Sequence, residues 1–597
     1  MKLPFEHVGR VIKLLDPKER QKLLFVTLGA IFIAMIEVIG VGSIMPFMSV
    51  AAKPEIIHGN RYLRGIYNFF GFKTDMSFLI FLGITVLIFL ILTNITQAIM
   101  HYAKVKFTSM RRHTLAHRLL QKYLAQDYSF FLNRNSYEFV KNVNIEIQNM
   151  ILSSLILFVE LISRFIQVSL LTVFLFIVNP LSTLGISGVI LIIYGTIYVA
   201  VRGKLKKLGT ERFDLIEQLS RIVSEAFWGI KEVKITGTES IFSNEFISPS
   251  KKLARNDTTN EVISDIPKFA LETAAFSSIM FFVLITILRS GTFADVAGTV
   301  TLYAYAGYRM IPAVQGLFRS ITRLKYGAPT AEKILKEFSI ITDLNHNYIQ
   351  TSVRLPFSKS LEIKNLTFTY PNIENPVIQD LNLTIPVNSL LGFAGKTGSG
   401  KTTLIDIILG LLKPDSGKIL ADGMLLSESN IRSWQANLGY VPQNIYLSND
   451  TISANIAFGV PREKIDFEAV EKAARMAQIH EFICLELKNN YQTMIGERGI
   501  RLSGGQRQRL GIARALYRDP SFLVMDEATS ALDSQTESAV MEAIDRLQGT
   551  RTILIIAHRL STLRKCDKIF LMEKGNIMSS GTYQEMGNSH ADYFNRI

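Results

Sequence analysis

The sequence has 597 residues, of which 48% are hydrophobic and 19% are charged, and its formal net charge is +14. That length allows several domains, and the abundance of apolar residues excludes a disordered chain. Two cysteines exclude a disulfide framework. The positive charge alone is compatible with either nucleic acid or a membrane surface as the partner.

The excess positive charge lies entirely in the first part of the chain. Residues 361–597 contain 25 Lys and Arg against 26 Asp and Glu, whereas residues 1–360 contain 40 against 25. The long apolar runs lie in the same first part. A basic, apolar part followed by a neutral part of ordinary composition predicts a membrane domain joined to a cytosolic one, and it argues against nucleic acid.

Six apolar stretches are long enough for a helix to cross a bilayer core of about 30 Å. They are residues 23–50, 77–102, 151–178, 181–201, 269–289 and 294–316. Long polar, helix-forming segments follow the second and fourth stretches, and they predict helices that continue beyond the bilayer and turn back. Most Lys and Arg residues of the membrane part lie on the same side of the predicted spans as the N-terminus. Because basic residues accumulate on the cytosolic side, this distribution predicts a cytosolic N-terminus.

The sequence also predicts where the domains begin and end. Residues 1–22 lack the pattern of a cleavable signal peptide, and their apolar positions recur at helical spacing, which predicts an elbow helix at the inner membrane surface. Residues 23–330 are the predicted transmembrane domain and residues 331–357 a linker. Residues 358–597 are the predicted nucleotide-binding domain.

A glycine-rich phosphate-binding pattern occupies residues 395–402, which read Gly-Lys-Thr-Gly-Ser-Gly-Lys-Thr. An apolar, strand-like run precedes it and a helix-like run follows, as this motif requires. Its backbone N–H groups wrap phosphates, while the lysine reaches the β- and γ-oxygens and the last threonine ligates Mg²⁺. We therefore predict ATP and Mg²⁺ as cofactors, with contacts from Gly395, Lys396, Thr397, Gly398, Ser399, Gly400, Lys401, Thr402 and Thr403.

A second apolar run, residues 522–525, is followed directly by Asp526 and then Glu527. A buried strand that ends in a carboxylate suits a Mg²⁺ ligand, so Asp526 is the predicted metal ligand together with Thr402. Phosphoryl transfer to water also needs a carboxylate that orients the attacking water. Glu527 is the candidate for that catalytic role.

Further motifs complete a resemblance to the ATPase domain of ABC transporters. Residues 502–506 read Leu-Ser-Gly-Gly-Gln, residues 530–533 read Ser-Ala-Leu-Asp, and His558 ends the run Ile-Ile-Ala-His. By that resemblance Tyr370 stacks on adenine and His558 holds the γ-phosphate. Gln443 is implied to contact both Mg²⁺ and the attacking water, so it counts as a metal ligand and a catalytic residue.

The same resemblance implies a dimer. In this family the motif that here contains Ser503, Gly504, Gly505 and Gln506 completes the phosphate site of the opposite subunit. Because Glu527 and His558 are both present, a homodimer would have two competent sites. A heterodimer with a degenerate partner is the alternative.

Six spans placed before the ATPase resemble the type I ABC exporter class. The predicted fold is therefore an α-helical transmembrane domain with long intracellular helices, followed by an α/β P-loop ATPase domain. In that class, short helices at the ends of the intracellular hairpins dock on the ATPase. Residues 128–136 and 227–239 are the candidates here.

Charged residues inside spans are costly in hydrocarbon and point to function. Glu160 and Arg164 lie one helical turn apart and are expected to pair. Arg309 has no evident partner in its own helix, so it is expected to meet an anionic group of the cargo, because arginine binds phosphate bidentately. Glu37 is a further candidate in the first span.

The outer loop between the first two spans mixes aromatic residues with Arg61 and Arg64. Short runs in spans one and six, with two residues near the start of span five, resemble the exporter subgroup that flips polyprenyl-pyrophosphate-linked oligosaccharides. They are residues 36–37, 45–47 and 308–312, with Pro267 and Glu272. We therefore predict an ATP-driven flippase of the plasma (inner) membrane that moves such a lipid to the outer leaflet. Its predicted substrate residues are Arg309, Glu37, Arg61 and Arg64. A lipid A or phospholipid flippase, a drug or peptide exporter, and a non-transporting channel or regulator are the alternatives.

Overall fold

The computed structural model describes residues 6–178, 180–290, 297–340, 353–371, 373–496, 499–527, 534–557 and 560–589. The chain divides into two compact units. The first contains Met1–Gln126 and Arg134–Asn345, and the second contains Asp127–Asn133 and His346–Ile597.

The first unit is helical, and the described residues of each predicted span lie in a long helix. Its helices are α1 (Glu6–Lys13), α2 (Pro17–Ala52), α3 (Ile56–Gly59), α4 (Arg61–Phe69), α5 (Asp75–Leu124), α7 (Ser136–Lys141), α8 (Ile147–Ile151), α9 (Leu157–Val178), α10 (Pro180–Trp228), α11 (Ile230–Thr236), α12 (Glu239–Ser290) and α13 (Ala297–Ile340). Two π-helical turns join α7, α8 and α9 into one continuous helix. The short helix α6 (Tyr128–Leu132) and α11 form within the two predicted docking segments.

Four stretches of the described residues are long and apolar enough to cross a membrane: Pro17–Ala52, Asp75–Leu124, Ser136–Ile177 and Thr183–Trp228. The fifth and sixth predicted spans fall at the end of α12 and the start of α13, which flank residues 291–296, outside the described ranges. Helix α13 continues to Ile340, so the first ten residues of the predicted linker are helical.

Helix α1 forms within the segment predicted as an elbow helix, residues 1–22, while residues 17–22 already belong to α2. Two arginines in the last third of α5, Arg111 and Arg118, hold the junction of α1 and α2. The carboxylate of Glu19 accepts a hydrogen bond from the backbone N–H of Asp16 at 3.0 Å, which caps α2. Arg118 donates to the carbonyl oxygen of Leu14 at 2.7 Å and to the carboxylate of Asp16. Arg111 forms a buried ion pair with Glu19. These contacts anchor the entry to the first span.

The second unit contains two sheets. An antiparallel sheet has the order β2 (Ile378–Pro386), β1 (Ser360–Phe368), β4 (Ser416–Ala421), β5 (Met424–Leu425). A six-stranded sheet has the order β10 (Asn576–Gly581), β9 (Lys568–Glu573), β3 (Leu390–Ala394), β8 (Thr552–Ile556), β7 (Phe522–Asp526), β6 (Leu438–Val441). All its pairings are parallel except that of β10 with β9.

Every residue of β3, β7 and β8 is buried, as expected for parallel strands covered on both faces. The helices of this unit are α14 (Lys401–Ile408), α15 (Ile431–Gln435), α16 (Ile452–Ile456), α17 (Phe467–Met476), α18 (Gly504–Leu516), α19 (Ser534–Asp545), α20 (Leu560–Leu563) and α21 (Tyr583–Ser589). Ligands of such sheets bind at the carboxyl ends of the parallel strands. The motifs that follow β3, β6 and β7 therefore meet at one edge.

Candidate functional site: the nucleotide site and a charged membrane cavity

The loop between β3 and α14 has the shape of a phosphate cradle. Gly395, Gly398 and Gly400 have positive φ values of 156°, 82° and 99°. A Cβ on Gly395 would lie 2.5 Å from the carbonyl oxygen of Met572 and 2.7 Å from Oγ of Ser399, so no other residue fits there. The loop ends at the N-terminus of α14, where helix N–H groups favour an anion.

Lys401 lies inside this loop. Its buried ammonium donates to the carbonyl oxygens of Gly395 at 2.6 Å and Lys396 at 3.0 Å. Burial lowers the pKa of Lys401, while the carboxylates of Glu527 and Asp526 act in the opposite direction. A buried cation held by neutral loop oxygens fits the phosphates of ATP.

The predicted adenine-stacking residue lies beside the same loop. The hydroxyl of Tyr370 lies 3.1 Å from Oγ1 of Thr403, in the first turn of α14. The ring is half-buried and packs edge-on against Phe368 at the end of β1, with 5.0 Å between centroids. The structure thus places Tyr370 in contact with the first turn of α14, directly beside the phosphate loop.

The two predicted carboxylates lie at the end of β7. Asp526 is buried as the last residue of the strand. Glu527 follows with a φ of 47°, a left-handed conformation that is strained for a residue with a side chain and is typical of functional sites. Its backbone N–H donates to the carbonyl oxygen of Ile556 at 3.1 Å. Gln443, after β6, donates from Nε2 to Oε2 of Glu527 at 2.5 Å.

The residues predicted to hold Mg²⁺ have the right donor chemistry. Thr402, Gln443 and Asp526 offer a hydroxyl, an amide carbonyl and a carboxylate, which are the hard oxygen ligands that Mg²⁺ prefers. Because Gln443 uses its amide nitrogen towards Glu527, its carbonyl oxygen remains for the metal. Held by these residues, Mg²⁺ would supply positive charge that offsets the negative charge developing on the phosphate oxygens.

The motif at residues 502–506 forms the start of α18. Oγ of Ser503 accepts from the backbone N–H of Gln506 at 3.2 Å, and Oε1 of Gln506 accepts from the N–H of Ser503 at 2.8 Å. This reciprocal cap fixes the helix start, where the N–H groups of Gly504 and Gly505 have no acceptor within the helix. His558 and residues 530–533 lie outside the described residues.

The membrane unit contains a cavity of about 420 Å³ between α2, α5, α9 and α13. Its charged lining residues are Glu37, Lys104, Glu160, Arg164 and Arg309. Two predicted substrate residues, Glu37 and Arg309, therefore meet at one cavity, and Gln97 donates a hydrogen bond to the Glu37 carboxylate. Arg61 and Arg64 lie on helix α4 and do not line this cavity.

Two expectations about these charges are wrong. Arg309 does have a partner in its own helix, because its Nε donates to the hydroxyl of Tyr305, one turn earlier, at 3.3 Å. Arg164 donates to Oε1 of Gln167 at 2.9 Å, and no ion pair with Glu160 forms among the described residues. The reason is tertiary: the Arg164 side chain lies against α13 at Gly316, where a Cβ would be 3.3 Å from its Cγ.

Comparison with known proteins finds family matches in both parts of the chain. Residues 22–310 match the ABC transporter transmembrane region, and residues 378–530 match the ABC transporter family. The ATP-dependent lipid A-core flippase of Salmonella typhimurium (strain LT2) is 30% identical over 524 residues, which are 87% of this chain and 88% of that protein. The chain belongs to the ABC transporter family. The protein of the same name from Escherichia coli (strain K12) is 29% identical over 86% of this chain and 87% of its own length.

The fold of this ABC transporter also resembles a solved one. A structure described as a bacterial Atm1-family ABC exporter with ATP bound matches 96% of this chain and 98% of its own, with a TM-score of 0.73 and 22% identity. The predicted fold class is confirmed: a type I exporter fold with a helical membrane domain and an α/β ATPase domain. The protein is a multi-pass membrane exporter that couples ATP hydrolysis to transport.

Sequence reasoning missed one buried acid of the ATPase domain. Asp406 lies in α14, and burial raises the pKa of its carboxyl to about 6, with a further contribution from Asp526. Burial also raises the pKa of the Tyr128 hydroxyl in α6, and the Asp406 carboxylate adds to that shift. The signal was a single acid inside the apolar run Leu-Ile-Asp-Ile-Ile at residues 404–408.

Proposed function

We propose that this ABC transporter forms a homodimer that uses ATP to move a polyprenyl-pyrophosphate-linked oligosaccharide from the cytoplasmic to the outer leaflet of the plasma (inner) membrane. The observation that carries the proposal is the charged cavity of the membrane unit. Three cations, Lys104, Arg164 and Arg309, face two carboxylates, Glu37 and Glu160.

The charge balance of this cavity suits an anionic head group. The three cations and two carboxylates sum to one net positive charge. Because charged side chains are costly inside a membrane, their presence among these helices points to a function. One guanidinium group can donate two parallel hydrogen bonds to two oxygens of the same phosphate. The aromatic ring of Tyr305 holds the Arg309 guanidinium from one side, 5.7 Å from the ring centroid, so its fork is oriented before cargo arrives.

A second, apolar cavity of the membrane unit suits the hydrocarbon part of such a cargo. It has a volume of about 410 Å³ and lies between α9, α10 and α13, on the other face of two helices that also line the charged cavity. Adjacent residues of one helix divide between the two: Gln167 lines the charged cavity and Val168 the apolar one. Arg309 and Met310 divide in the same way. An amphipathic lipid has both parts.

The ATPase residues support the proposed homodimer. The capped start of α18 offers the N–H groups of Gly504 and Gly505, which by the family resemblance serve the phosphate of the other subunit. Each copy carries its own Glu527 and Gln443, so both sites of a homodimer are competent. In this scheme Lys401 holds the phosphates, Gln443 orients Glu527, and Glu527 aligns the attacking water.

The relatives favour a second candidate, a lipid A flippase, because the 30% identical proteins carry that name. Both candidates are phosphorylated glycolipids with hydrocarbon chains, so a cavity with arginines serves either. The two lipids differ in their hydrocarbon chains and in how their phosphates are linked, so a transport assay with each of them distinguishes the candidates.

The test is reconstitution of the full chain in liposomes. ATP-driven translocation is measured for a polyprenyl-pyrophosphate glycan, for lipid A and for a hydrophobic dye. We expect the glycan lipid to move fastest, and Arg309→Met to slow it while Arg112→Met, on the exposed cytosolic part of α5, does not. Movement of lipid A alone would establish the second candidate, and movement of the dye alone would contradict both.

A further inference from the structure

The docking helix α6 belongs to one unit while the chain on both sides of it belongs to the other. Residues 127–133 group with the nucleotide-binding unit, whereas Gln126 and Arg134 belong to the membrane unit. The chain therefore leaves the membrane unit and returns to it within a few residues. Whatever holds the two flanks of α6 together determines how a displacement of α6 is passed on.

One carboxylate oxygen holds both flanks. Tyr123, at the end of α5, donates from its hydroxyl to Oε2 of Glu337 at 3.1 Å. Arg134, directly after α6, donates from Nη1 to the same Oε2 at 2.8 Å. Asn142 donates to the Tyr123 hydroxyl at 3.0 Å and completes the network. We call Tyr123, Arg134, Asn142 and Glu337 the clasp.

The clasp is sheltered from water. Tyr123 and Asn142 are 2% and 3% exposed, and the side chains of Glu337 and Arg134 are 13% and 22% exposed. Burial raises the pKa of the Tyr123 hydroxyl, which therefore stays a proton donor to the carboxylate. Charged hydrogen bonds in such surroundings are stronger than neutral ones.

Glu337 also belongs to the helix that reaches the charged cavity. It lies 28 residues after Arg309 on α13, which is about 42 Å along a helix axis. Pro312 and Pro329 each remove one backbone hydrogen bond, yet the helix is continuous from Ala297 to Ile340. One helix thus carries Arg309 of the proposed cargo cavity and, near its C-terminal end, the clasp carboxylate of Glu337.

We propose that Glu337 is a positioning residue for coupling: it ties the docking helix to α13, so that movement of the ATPase domains reaches the cargo cavity. This inference rests on the proposed transport function. Glu337 touches neither nucleotide nor cargo in this role. Its loss separates hydrolysis from transport, whereas loss of a merely structural residue lowers both together.

The first test uses the full chain in liposomes and measures lipid moved per ATP hydrolysed. Glu337→Gln keeps the size of the side chain and removes its charge. We expect ATP hydrolysis to stay within about twofold and the transport ratio to fall about fivefold, as for a charged hydrogen-bond acceptor made neutral. Glu332→Gln, at an exposed position of the same helix, is the matched control and leaves the ratio unchanged.

A second measurement does not depend on the cargo. A spin label on Lys73→Cys, in a Cys484→Ser, Cys566→Ala background with normal hydrolysis, reports the distance between the two copies before and after trapping with ATP and vanadate. We expect the distance to change with wild-type Glu337 and not with Glu337→Gln. If the proposed cargo is wrong, the wild-type distance still changes although the glycan lipid does not move.

Two outcomes would overturn the proposal. One is a Glu337→Gln variant whose label distance and transport ratio match those of the wild type. The other is a parallel loss of hydrolysis, transport and thermal midpoint, which would make the clasp structural only. The exchange Arg134→Glu with Glu337→Arg restores the ion pair, so we expect it to recover part of the ratio that Arg134→Glu alone abolishes.

Discussion

Gln443 and Glu527 form a hydrogen bond of 2.5 Å between the side-chain amide Nε2 and the carboxylate Oε2. They follow β6 and β7, two neighbouring parallel strands, so the sheet itself brings them together. Glu527 adopts its strained backbone conformation at this point. The amide therefore fixes the direction of a carboxylate whose position the backbone has already restricted.

The first prediction concerns the role of that carboxylate. Glu527→Gln should abolish turnover, with a loss of about 10²-fold to 10⁴-fold in kcat, because the residue that orients water is gone. Binding of ATP should persist, since Lys401 and the loop are intact. Glu463→Gln, at an exposed position, is the control. Hydrolysis at more than a tenth of the wild-type rate would move the catalytic role to another residue.

The second prediction uses the partner. Gln443→Glu would place a second carboxylate beside Glu527, and two adjacent like charges raise the pKa of the pair. The acid limb of the pH profile of ATP hydrolysis should therefore move to higher pH. Gln443→Ala adds no charge and should lower kcat without moving the limb. An unmoved limb in Gln443→Glu would show that the two side chains are apart during turnover.

Features that neighbouring residues determine were easier to predict from the sequence than features that tertiary contacts determine. The phosphate loop and the strand that ends in Asp526 were predictable, because a few consecutive residues determine their geometry. The Tyr305 partner of Arg309 lay within one turn but was missed, since a phenol hydroxyl is not a typical ion-pair partner. Arg164 contacts α13 at Gly316, where there is no Cβ in the way. No local sequence pattern indicates which helices pack against each other.

The clasp shows the same limit at longer range. Glu337 lies 214 residues from Tyr123 and 203 from Arg134 along the chain. Nothing in the residues next to Glu337 distinguishes it from the other charged residues at the end of α13. Only the tertiary contacts with Tyr123 in α5 and with Arg134 after α6 select it.

The third prediction separates the ring of Tyr370 from its hydroxyl. Tyr370→Ala should raise the KM for ATP about tenfold, because stacking of a base on an aromatic ring is lost. Tyr370→Phe keeps the ring and loses only the contact with Thr403, so its KM should stay near the wild-type value. Equal effects of both substitutions would assign the role to the hydroxyl instead.

The fourth prediction concerns the apolar cavity. Gly195 lines it, and a Cβ there meets no atom within 4 Å, so Gly195→Phe should place its ring in the cavity. We expect translocation of a long-chain lipid to fall about fivefold or more while basal ATP hydrolysis persists. Gly188→Phe is the matched control, because it lies on the same helix with equal room but lines neither cavity. Equal loss in both variants would point to a general effect on α10.

The fifth prediction is the pH dependence of stability at Asp406. Its pKa rises from 3.8 to about 6 on folding, so the unfolded chain loses the proton first as the pH increases. Stability contributed by this group therefore falls between about pH 4 and pH 6 and is constant above that range.

Asp406→Asn removes this penalty, which is at most about 3 kcal/mol at pH 8. We expect the thermal midpoint of the ATPase domain to rise by several degrees at pH 8, and the gain to shrink as the pH falls towards 4. Thermal melts of the detergent-solubilised full chain at pH 8, 6 and 5 measure it. Glu374→Gln, which removes the same charge at an exposed position, should leave the midpoint unchanged. A gain that does not vary with pH would show that the charge of Asp406 is not its cause.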